Sequence, residues 1–468
     1  RPVGSKDAIA SGLADEMVDS ADDLAVAMRA WMLSCNGAKP AHSQRETMAD
    51  TNAITAARDS YLKRARADHT PAPFAIIDHV ATFGDDAAAM SAGEMGIFPE
   101  LMVGDASKNL RRVYYLTDAV RKSARGDSGI QRLHVVGAGV MGGDIAAVGA
   151  MAGLDVTLTD MNEAAIDGAI ARAAKLFERR LKTDDKIAAA KNRLRADKDG
   201  SGASDADLII EAVAEKLAVK QAVFQALEAA SKPDAILATN TSAIPLEEIA
   251  TALKAPERLI GLHFFNPVPV LPLVEVIWSE FSDQNMVNRG MQFAGRIGKM
   301  PIRCKSASGF LVNRALLPYI FKAIEAVAAG ETADLIDEAL VDFGMPMGPI
   351  ELADQIGLDV CLDVGVVLGI APAAKTLLTE KCALGTIGRK SGSGFYDWDG
   401  NRAIRPRQPQ DAAIMEGIAK SMLAPMIDEC QQAVDDGVVD STDSADAGMI
   451  FGIGFPGFRG GPLKWAKS

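Results

Sequence analysis

A glycine-rich turn in a particular setting constrains the fold of this chain more than any other feature. An apolar, strand-like run, Leu133–Val136, leads directly into three spaced glycines. These are Gly137, Gly139 and Gly142. A small-residue segment of helical character, Ile145–Ala152, and a second strand-like run, Asp155–Thr159, follow them. In such a unit the first glycine makes a tight turn, the second lets backbone approach a pyrophosphate, and the third lets helix and strand pack closely. The pattern predicts a dinucleotide-binding β-α-β unit, with phosphates at the helix N-terminus.

An acidic residue ends the second strand of this unit. Asp160 lies 23 positions after Gly137. A carboxylate at that point accepts hydrogen bonds from a ribose diol and repels a 2′-phosphate. NAD, rather than NADP, is therefore the predicted cofactor.

Strand-like and helical runs alternate from residue 130 to about residue 305. The strand-like runs are Leu133–Val136, Asp155–Thr159, Leu208–Ala212, Ala235–Thr239, Leu259–Phe264 and Leu273–Ile277. This alternation predicts a parallel sheet with helices on both faces.

Beyond Ser306 the pattern is helical and contains a weak internal repeat. Leu317-Pro318 and Ala424-Pro425 are 107 residues apart, and Gly344-Met-Pro346 and Gly454-Phe-Pro456 are 110 apart. The near-constant spacing predicts a duplicated helical module, with chance matches of Gly and Pro as the alternative.

Length and composition restrict the class of protein. A chain of 468 residues holds more than one domain, and a net charge of −13 argues against nucleic acid as a partner. The five cysteines are scattered without a C-x-x-C pair, which suits a reducing compartment and argues against a zinc site. No apolar run is long enough to span a bilayer. No signal peptide is visible and the chain begins at Arg1 rather than Met, which leaves the compartment open.

One of the five histidines stands out by its surroundings. His263 lies at the end of a strand-like run before a Pro-rich turn, and Glu275, 12 residues later, is the only acid in that apolar stretch. A buried glutamate is costly unless it has a partner, and a neighbouring imidazole would supply one. The pair predicts a general base, His263, whose cation Glu275 stabilises. His134 is most simply a residue of the sheet, and His42, His69 and His79 have no catalytic pattern around them.

Two polar positions have a structural and a functional interpretation. Ser242 follows the run Ala235–Thr239, so it lies where ligands bind in open α/β sheets, but it also suits the start of a helix. Asn313, in Ser308-Gly-Phe-Leu-Val-Asn-Arg314, serves equally well as a structural amide.

With these residues placed, the stretch from about residue 130 to residue 468 resembles the L-3-hydroxyacyl-CoA dehydrogenases. More narrowly, it resembles the dehydrogenase part of the multifunctional α-subunit of fatty-acid β-oxidation. The motifs that carry the resemblance are Gly137-Ala-Gly-Val-Met-Gly142, Ile210-Glu-Ala-Val-Ala-Glu215, Asn240-Thr-Ser242, Gly261-Leu-His-Phe-Phe-Asn-Pro-Val268, Gly309-Phe-Leu-Val-Asn-Arg314 and Met347-Gly-Pro-Ile-Glu-Leu352.

The resemblance implies roles for individual residues. His263 would be the catalytic base with Glu275 as its partner, while Ser242 and Asn313 would hold the oxygen atoms of an acyl-CoA substrate. The residues implied to line the NAD site are Gly137, Gly139, Met141, Gly142, Asp160, Val213, Ala214, Glu215, Lys220, Ser242 and Asn266. Lys390 is expected to approach the cofactor. Where bacterial relatives tend to have a substrate-facing tyrosine, this chain has Phe451.

The resemblance also implies an order of domains. Residues 1–35 would be a remnant of a crotonase-like hydratase domain and 36–128 a helical linker, ending in the polar segment Arg121–Gly129. A Rossmann-type NAD-binding domain would occupy 129–304. Two helical dehydrogenase modules would follow at 305–398 and 399–468, the second one truncated.

The expected activity is oxidation of L-3-hydroxyacyl-CoA to 3-oxoacyl-CoA, in the cytoplasm of a bacterium or in an organellar matrix. No enoyl-CoA hydratase activity is expected, because no residue matches the two hydratase glutamates of the family. The open alternatives are a β-hydroxyacid dehydrogenase-like enzyme acting on a non-CoA substrate and a non-catalytic module that docks a thiolase. A thiolase subunit and a second copy of the chain are the possible partners. Basic residues after Asp160, namely Arg172, Arg179, Arg180 and Lys182, either bind the CoA phosphates or form a solvated helix face.

Overall fold

The computed structural model describes residues 4–10, 14, 16–20, 22–34, 50–63, 65–84, 86–405 and 411–468. His42 and Cys35 lie outside these residues, as do parts of the predicted hydratase remnant and linker. The chain divides into two compact units, residues 1–100 and 101–468. The predicted linker, 36–128, spans this division, and the domain boundaries named above stay predictions.

The first unit is helical. Its helices are α1 (Ser5–Ala10), α2 (Leu24–Ser34), α3 (Thr51–Leu62), α4 (Pro71–Phe83) and α5 (Ala87–Val103), the last of which continues beyond residue 100. α4 begins at Pro71 because proline suits the first helical position, where its missing N–H costs nothing. The rings of Tyr61 and Phe74 pack edge to face, 6.2 Å apart, and join α3 to α4.

The second unit begins with α6 (Asp105–Ser123). This helix continues into the polar segment predicted to be a flexible boundary. Arg121 and Lys122 extend the helix because both residue types form helices well. Their positive charges also interact favourably with the negative, C-terminal end of the helix dipole.

An eight-stranded sheet forms the centre of the second unit. Its strands are β1 (Arg132–Val136), β2 (Asp155–Thr159), β3 (Leu194–Ala196), β4 (Leu208–Glu211), β5 (Ile236–Thr239), β6 (Leu259–Phe264), β7 (Leu273–Trp278) and β8 (Met300–Lys305). Their order across the sheet is β3-β2-β1-β4-β5-β6-β7-β8. All six strands predicted from the sequence are present.

Alternate strand residues face two separate cores. Ile209 and Leu237 belong to one buried cluster, whereas Leu208 and Ile236 belong to the other. The helices that cover the sheet are α7 (Val140–Met151), α8 (Glu163–Arg180), α9 (Asp184–Arg193), α10 (Leu217–Ala230), α11 (Leu246–Ala250) and α12 (Gln284–Arg296). The prediction of helices on both faces is therefore confirmed.

The predicted parallel sheet is present in β1–β6, but β7 and β8 run opposite to these six strands. β7 runs antiparallel to β6, and β8 is parallel to β7. The chain between β6 and β7 is too short for a helical crossover, which parallel neighbours require. Two short or polar strands were also missed. β3 has only three residues, and β8 contains a proline and two cations, so neither resembles a buried strand.

The helix after the glycine turn starts earlier than predicted. α7 begins at Val140 rather than Ile145, although glycine is a poor helix former. A Cβ atom on Gly143 would lie 2.9 Å from the Cβ of Ala169, and one on Gly149 would lie 2.8 Å from Leu133. Glycine therefore persists in this helix because α7 packs closely on α8 and on β1.

The remaining elements form a helical domain. They are α13 (Val312–Ala328), α14 (Ala333–Phe343), α15 (Pro349–Ile356), α16 (Leu358–Leu368), α17 (Pro372–Ala383), β9 (Asp397–Asp399), β10 (Arg402–Ile404), α18 (Ala412–Asp435), α19 (Thr442–Ile453) and α20 (Pro462–Ala466). Among the described residues, no helix is both long and apolar enough to cross a membrane.

Two buried aspartates confirm the internal repeat. Asp337 on α14 accepts hydrogen bonds from the backbone N–H groups of Ile350 and Glu351, which start α15. Asp446 on α19 accepts the equivalent bonds from Leu463 and Lys464, which start α20. Because the two bonding patterns match, α13–α15 and α18–α20 share one three-helix arrangement, as the predicted duplication requires.

An arginine reaches each of these aspartates from outside its repeat. Arg405 lies 3.7 Å from Asp337, and Arg112 on α6 donates to Asp446 at 3.0 Å. Burial raises the pKa of Asp337 to about 7 and that of Asp446 to about 6, in spite of these hydrogen bonds and cations. The folded state therefore binds more protons than the unfolded chain between about pH 4 and these values, and stability falls as the pH rises through that window.

The substitution Arg112→Met should therefore destabilise the second unit in a pH-dependent way. At pH 8 it leaves an uncompensated buried carboxylate and should cost about 2 kcal/mol, below the 3–5 kcal/mol typical of a broken buried pair because Asp446 can bind a proton. At pH 5 Asp446 is mostly neutral, so the loss should be smaller. Thermal unfolding of both proteins at the two pH values measures this, with the exposed Arg111→Met on the same helix as control. Equal losses of stability at pH 5 and pH 8 would show that Arg112 does not act by compensating the charge of Asp446.

Candidate active site

The three glycines of the turn have different surroundings. Gly137 has a φ of +105°, and a Cβ on it would lie 2.5 Å from the backbone oxygen of Ala212. A Cβ on Gly142 would lie 1.9 Å from the oxygen of Gly137. A Cβ on Gly139 would have no atom within 4 Å. The first and third glycines are therefore required by the fold itself, while the second leaves open space at the start of α7, where a ligand can approach.

Asp160 lies at the end of β2 and contacts this turn. Its Oδ2 accepts a hydrogen bond from the N–H of Ala138 at 2.7 Å, and its Oδ1 accepts one from Asn162 at 2.8 Å. A carboxylate can accept about four hydrogen bonds, so these two leave capacity for the hydroxyls of a ribose. The turn and the acid thus form one surface.

A buried network of charges follows β4. Lys220 is 1% exposed, and its Nζ donates to Glu211 at 2.9 and 3.1 Å and lies 3.1 Å from Glu215 Oε2. The hydroxyl of Thr239 also donates to Glu211, at 2.8 Å. The opposite charges of Lys220 and Glu211 compensate each other, which makes the burial of this pair tolerable, while Glu215 reaches the same cation from the surface.

Glu215 connects this network to Ser242. Its Oε1 accepts hydrogen bonds from the Thr241 hydroxyl at 2.6 Å, and from the N–H and hydroxyl of Ser242 at 2.7 and 3.1 Å. Burial raises the pKa of Glu215, but the charge of Lys220 and these hydrogen bonds outweigh it, so the pKa lies below its ordinary value. Glu215 is therefore ionised and holds the turn after β5.

His263 and Glu275 face each other on the neighbouring antiparallel strands β6 and β7. Both are buried, and the His263 Nδ1 lies 2.6 Å from Glu275 Oε2. The imidazole lies beside the rings of Phe265 and Phe310, with centroids 4.4 and 5.8 Å away. Since Nδ1 is engaged with the carboxylate, Nε2 is the nitrogen available for proton transfer.

The second oxygen of Glu275 is held from the helical domain. Glu275 Oε1 accepts hydrogen bonds from the backbone N–H groups of Leu311 and Val312, both at 3.0 Å. The Sγ of Cys304 lies 4.0 Å from the same oxygen, and burial, with a smaller contribution from Glu275, keeps the pKa of that thiol well above its ordinary value. The thiol is therefore neutral and adds no second negative charge.

Asn313 follows these two donors on α13. Its side-chain Nδ2 donates to the backbone oxygen of Ser242 at 3.0 Å. Ser242 and Asn313, predicted separately from the sequence, are thus in direct contact.

Most predicted site residues lie at one edge of the sheet, because the carboxyl ends of β1, β2, β4, β5 and β6 share that edge. These are Gly137, Gly139, Gly142, Asp160, Val213, Ala214, Glu215, Ser242, His263 and Asn266, with Met141 on the first turn of α7 and Lys220 on α10. This is the edge at which ligands bind in open α/β sheets.

Other predicted positions have different surroundings. The Nζ of Lys390 pairs with Asp359, with distances of 2.5 and 2.6 Å to its oxygens, so a contact with the cofactor stays a prediction. Arg172 donates to the Gly139 oxygen at 3.3 Å and Arg180 to the Pro269 oxygen at 3.2 Å, while Arg179 and Lys182 are exposed. Phe451 lies on α19, against the core of the helical domain.

The sequence also contained a signal for Glu211 that was not used. Glu211 is the only acid in the apolar run of β4, as Glu275 is in β7, so it needs a buried partner for the same reason. The described residues contain no group of three or more His, Cys, Asp or Glu side chains arranged to hold a metal ion.

Comparisons with known proteins agree with this geometry. The family model of the 3-hydroxyacyl-CoA dehydrogenase NAD binding domain matches residues 132–307, and that of the C-terminal domain matches residues 309–398. FadB2 of Mycobacterium tuberculosis has 42% identity and a TM-score of 0.55, over 58% of this chain and 99% of that one. The 3-hydroxybutyryl-CoA dehydrogenase of Escherichia coli K12 has 29% identity and a TM-score of 0.64, over 72% of this chain and 91% of that one.

The chain belongs to the 3-hydroxyacyl-CoA dehydrogenase family. It is also similar to the fatty acid oxidation complex subunit alpha of Vibrio vulnificus, with 34% identity over 392 residues, which are 79% of this chain and 55% of that relative. The chain thus spans little more than half the length of this relative. The predicted family, the Rossmann-type domain followed by a helical domain, and NAD as cofactor are confirmed.

The different surroundings of the glycines give a matched pair of variants. Gly142→Ala should lower the free energy of unfolding by about 1–3 kcal/mol, because its methyl group overlaps the Gly137 oxygen. Gly139→Ala should fold as the wild type does, yet weaken NAD binding at least about tenfold, because the methyl group occupies the space that the pyrophosphate needs. Thermal unfolding and calorimetric titration with NAD measure the two effects. Normal NAD affinity in Gly139→Ala would show that the cofactor does not approach this turn.

Proposed function

We propose that the chain catalyses the reversible, NAD-dependent oxidation of L-3-hydroxyacyl-CoA to 3-oxoacyl-CoA. The observation that carries this proposal is the buried His263–Glu275 pair at the same sheet edge as the glycine turn. Family membership supports the reaction class, and the names of the relatives support a CoA thioester and fatty acid oxidation.

The residues at the glycine turn fit NAD. The open space beside Gly139 suits a pyrophosphate, the start of α7 offers N–H groups, and Asp160 suits a ribose diol. When bound, the nicotinamide accepts the hydride that leaves C3 of the substrate.

His263 removes the proton of the 3-hydroxyl group through Nε2. Its Nδ1–H donates to Glu275 Oε2 throughout, which fixes the tautomer and the ring orientation, and the carboxylate stabilises the imidazolium that forms. Leu311 and Val312 hold the carboxylate from its other oxygen, so it stays in place during the transfer.

Ser242 and Asn313 position the oxygen atoms of the substrate. Glu215 holds Ser242, and Asn313 donates one N–H to the Ser242 backbone oxygen. A carboxamide has a second N–H and an oxygen, so Asn313 retains hydrogen-bonding capacity for the substrate. Arg179 lies near the end of α8 and Lys182 lies just after that helix. Both side chains are exposed, and they are the candidates for binding the CoA phosphates.

The proposal extends to partners and location. A thiolase partner and self-association rest on the resemblance and on the name of the V. vulnificus relative, which is the α-subunit of a complex. A cytoplasmic location rests on the bacterial origin of that relative. Co-purification with a thiolase tests the first of these partners, and light scattering tests self-association.

The decisive substitution is His263→Gln. It should lower kcat for acetoacetyl-CoA reduction by about 10²–10⁴, the usual contribution of a general base, while NAD affinity stays within about twofold. NADH absorbance gives the rate and calorimetry gives the affinity. His79→Gln, in the first compact unit, is the control. Turnover near the wild-type rate in His263→Gln would refute the assigned role.

The same assay separates the alternatives. The wild-type chain should reduce acetoacetyl-CoA far faster than free acetoacetate and should leave crotonyl-CoA unhydrated. Faster reduction of acetoacetate would favour a β-hydroxyacid dehydrogenase-like enzyme. NAD binding without turnover of either compound would favour a non-catalytic assembly module.

Asp160→Ala tests coenzyme selection. The variant should bind NAD at least about tenfold more weakly and discriminate less against NADP, because both the ribose acceptor and the charge that repels a 2′-phosphate are removed. The ratio of kcat/KM for NADH and NADPH measures this. An unchanged ratio would show that Asp160 does not contact the ribose of the cofactor.

A further inference from the structure

One residue of the described chain combines a bulky side chain with a left-handed backbone. Phe310 has a φ of +51°, the only positive φ at a non-glycine position among the described residues. A left-handed conformation costs free energy for any residue with a Cβ, and for a bulky one it persists only where the surroundings impose it. Gly309, directly before it, also has a positive φ, +72°.

This left-handed turn immediately precedes the two N–H groups that hold Glu275. It joins β8, which ends at Lys305, to α13, which begins at Val312. Within the turn the Phe310 N–H donates to the Ala307 oxygen at 3.1 Å, and the Arg314 N–H donates to the Gly309 oxygen at 3.0 Å. Two successive left-handed residues therefore redirect the chain, so that the N–H groups of Leu311 and Val312 both point at Glu275 Oε1.

The ring of Phe310 explains how this conformation is imposed. The residue is fully buried, and its ring centroid lies 5.8 Å from that of His263. The Phe310 side chain thus fixes the turn in the core beside the His263 imidazole. The Phe310 backbone directs the two N–H groups that follow it toward Glu275.

We propose that Phe310 is a positioning residue for the His263–Glu275 pair, and that it acts through its left-handed backbone. With Oε1 held by two N–H groups, the carboxylate can present Oε2 to Nδ1 in only one orientation, and Nε2 then faces the substrate at a fixed angle. In this role Phe310 acts on the reaction through Glu275 and His263. The inference rests on the proposed function of His263 and adds to it the element that sets the geometry of the base.

Three substitutions at position 310 separate the backbone from the ring. Glycine adopts a positive φ readily, alanine does so at a cost, and β-branched valine is strongly opposed to it. If Phe310 only fills space, the smallest residue leaves the largest cavity and kcat should fall in the order Val, Ala, Gly. If the backbone matters, the order reverses. We expect kcat to fall from Gly to Ala to Val, with Val losing about 10²-fold, the usual effect of a small misplacement.

Kinetics and proton NMR measure the effect on the pair. KM and NAD affinity should change less than about twofold in the variants, because the proposed role concerns the orientation of the base and not the binding of either ligand. The far-downfield Nδ1–H resonance of the His263–Glu275 hydrogen bond, assigned by its loss in Glu275→Gln, should persist in Phe310→Gly and shift or vanish in Phe310→Val. This signal does not depend on turnover, so it tests the positioning role even if the chain fails to reduce acetoacetyl-CoA, the result that would refute the proposed function instead.

Gly330→Val is the matched control for backbone strain. Gly330 follows the far end of α13, has a φ of +108° and has open space around its Cβ position. The variant should be less stable but keep the wild-type kcat and the downfield resonance. If Phe310→Val does not fold, the comparison of Gly with Ala decides the question. Any order of kcat in which glycine is not the most active of the three, or a resonance unchanged in Phe310→Val and Phe310→Ala, would overturn the proposal.

Discussion

The structure of the second unit depends on how one buried carboxylate is satisfied. Glu275 is fully buried, and burying an unpaired carboxylate costs more free energy than most domains have available. Its three nitrogen donors come from two parts of the chain: His263 from the sheet, and Leu311 and Val312 from the start of the helical domain. The carboxylate is satisfied only when sheet and helical domain are assembled, so the proposed catalytic geometry and the assembly of the two domains are a single requirement.

Other buried acids join elements in the same way. Glu211 accepts from Lys220, Thr239 and the Val213 N–H, and so connects β4 to α10 and β5. Asp354 accepts from the N–H groups of Phe395 and Tyr396 and from the indole of Trp398, which attaches the segment before β9 to α15. Each acid combines backbone donors with at least one side chain. For Glu275 and Asp354 the backbone donors belong to the segment that docks, so each carboxylate is satisfied only when that segment is in place.

Much of this arrangement could be predicted, because the relevant signals are local. Gly142 is required by a contact within the turn itself, with the Gly137 oxygen, and Gly137 by the positive φ of that turn. A lone acid in an apolar strand, such as Glu275, needs a partner wherever it lies. The features that could not be predicted depend on contacts distant in sequence. β3 is a strand only because it lies beside β2, and Lys390 pairs with Asp359 on a helix that the sequence pattern does not bring near it. The φ of Phe310 belongs to the same class, since its residue type disfavours what the surroundings impose. The direction of β7 differs from these, because the connection from β6 is visibly too short for a crossover and the signal was local.

These contacts change where the boundary of the site is drawn. A division by sequence pattern at residue 305 assigns the start of α13 to the helical domain. Residues 311–313, however, form three hydrogen bonds to the sheet side, two to Glu275 and one to Ser242. Hydrogen bonds to a charged group contribute about 1.5–3 kcal/mol each, more than the 0.5–1.5 kcal/mol of an ordinary one, so these three residues are bound more firmly to the sheet edge than a surface turn would be. The first turn of α13 is therefore physically part of the active edge, and a displacement of the helical domain that leaves the His263–Glu275 pair intact must bend the chain after Asn313 rather than in the turn before it.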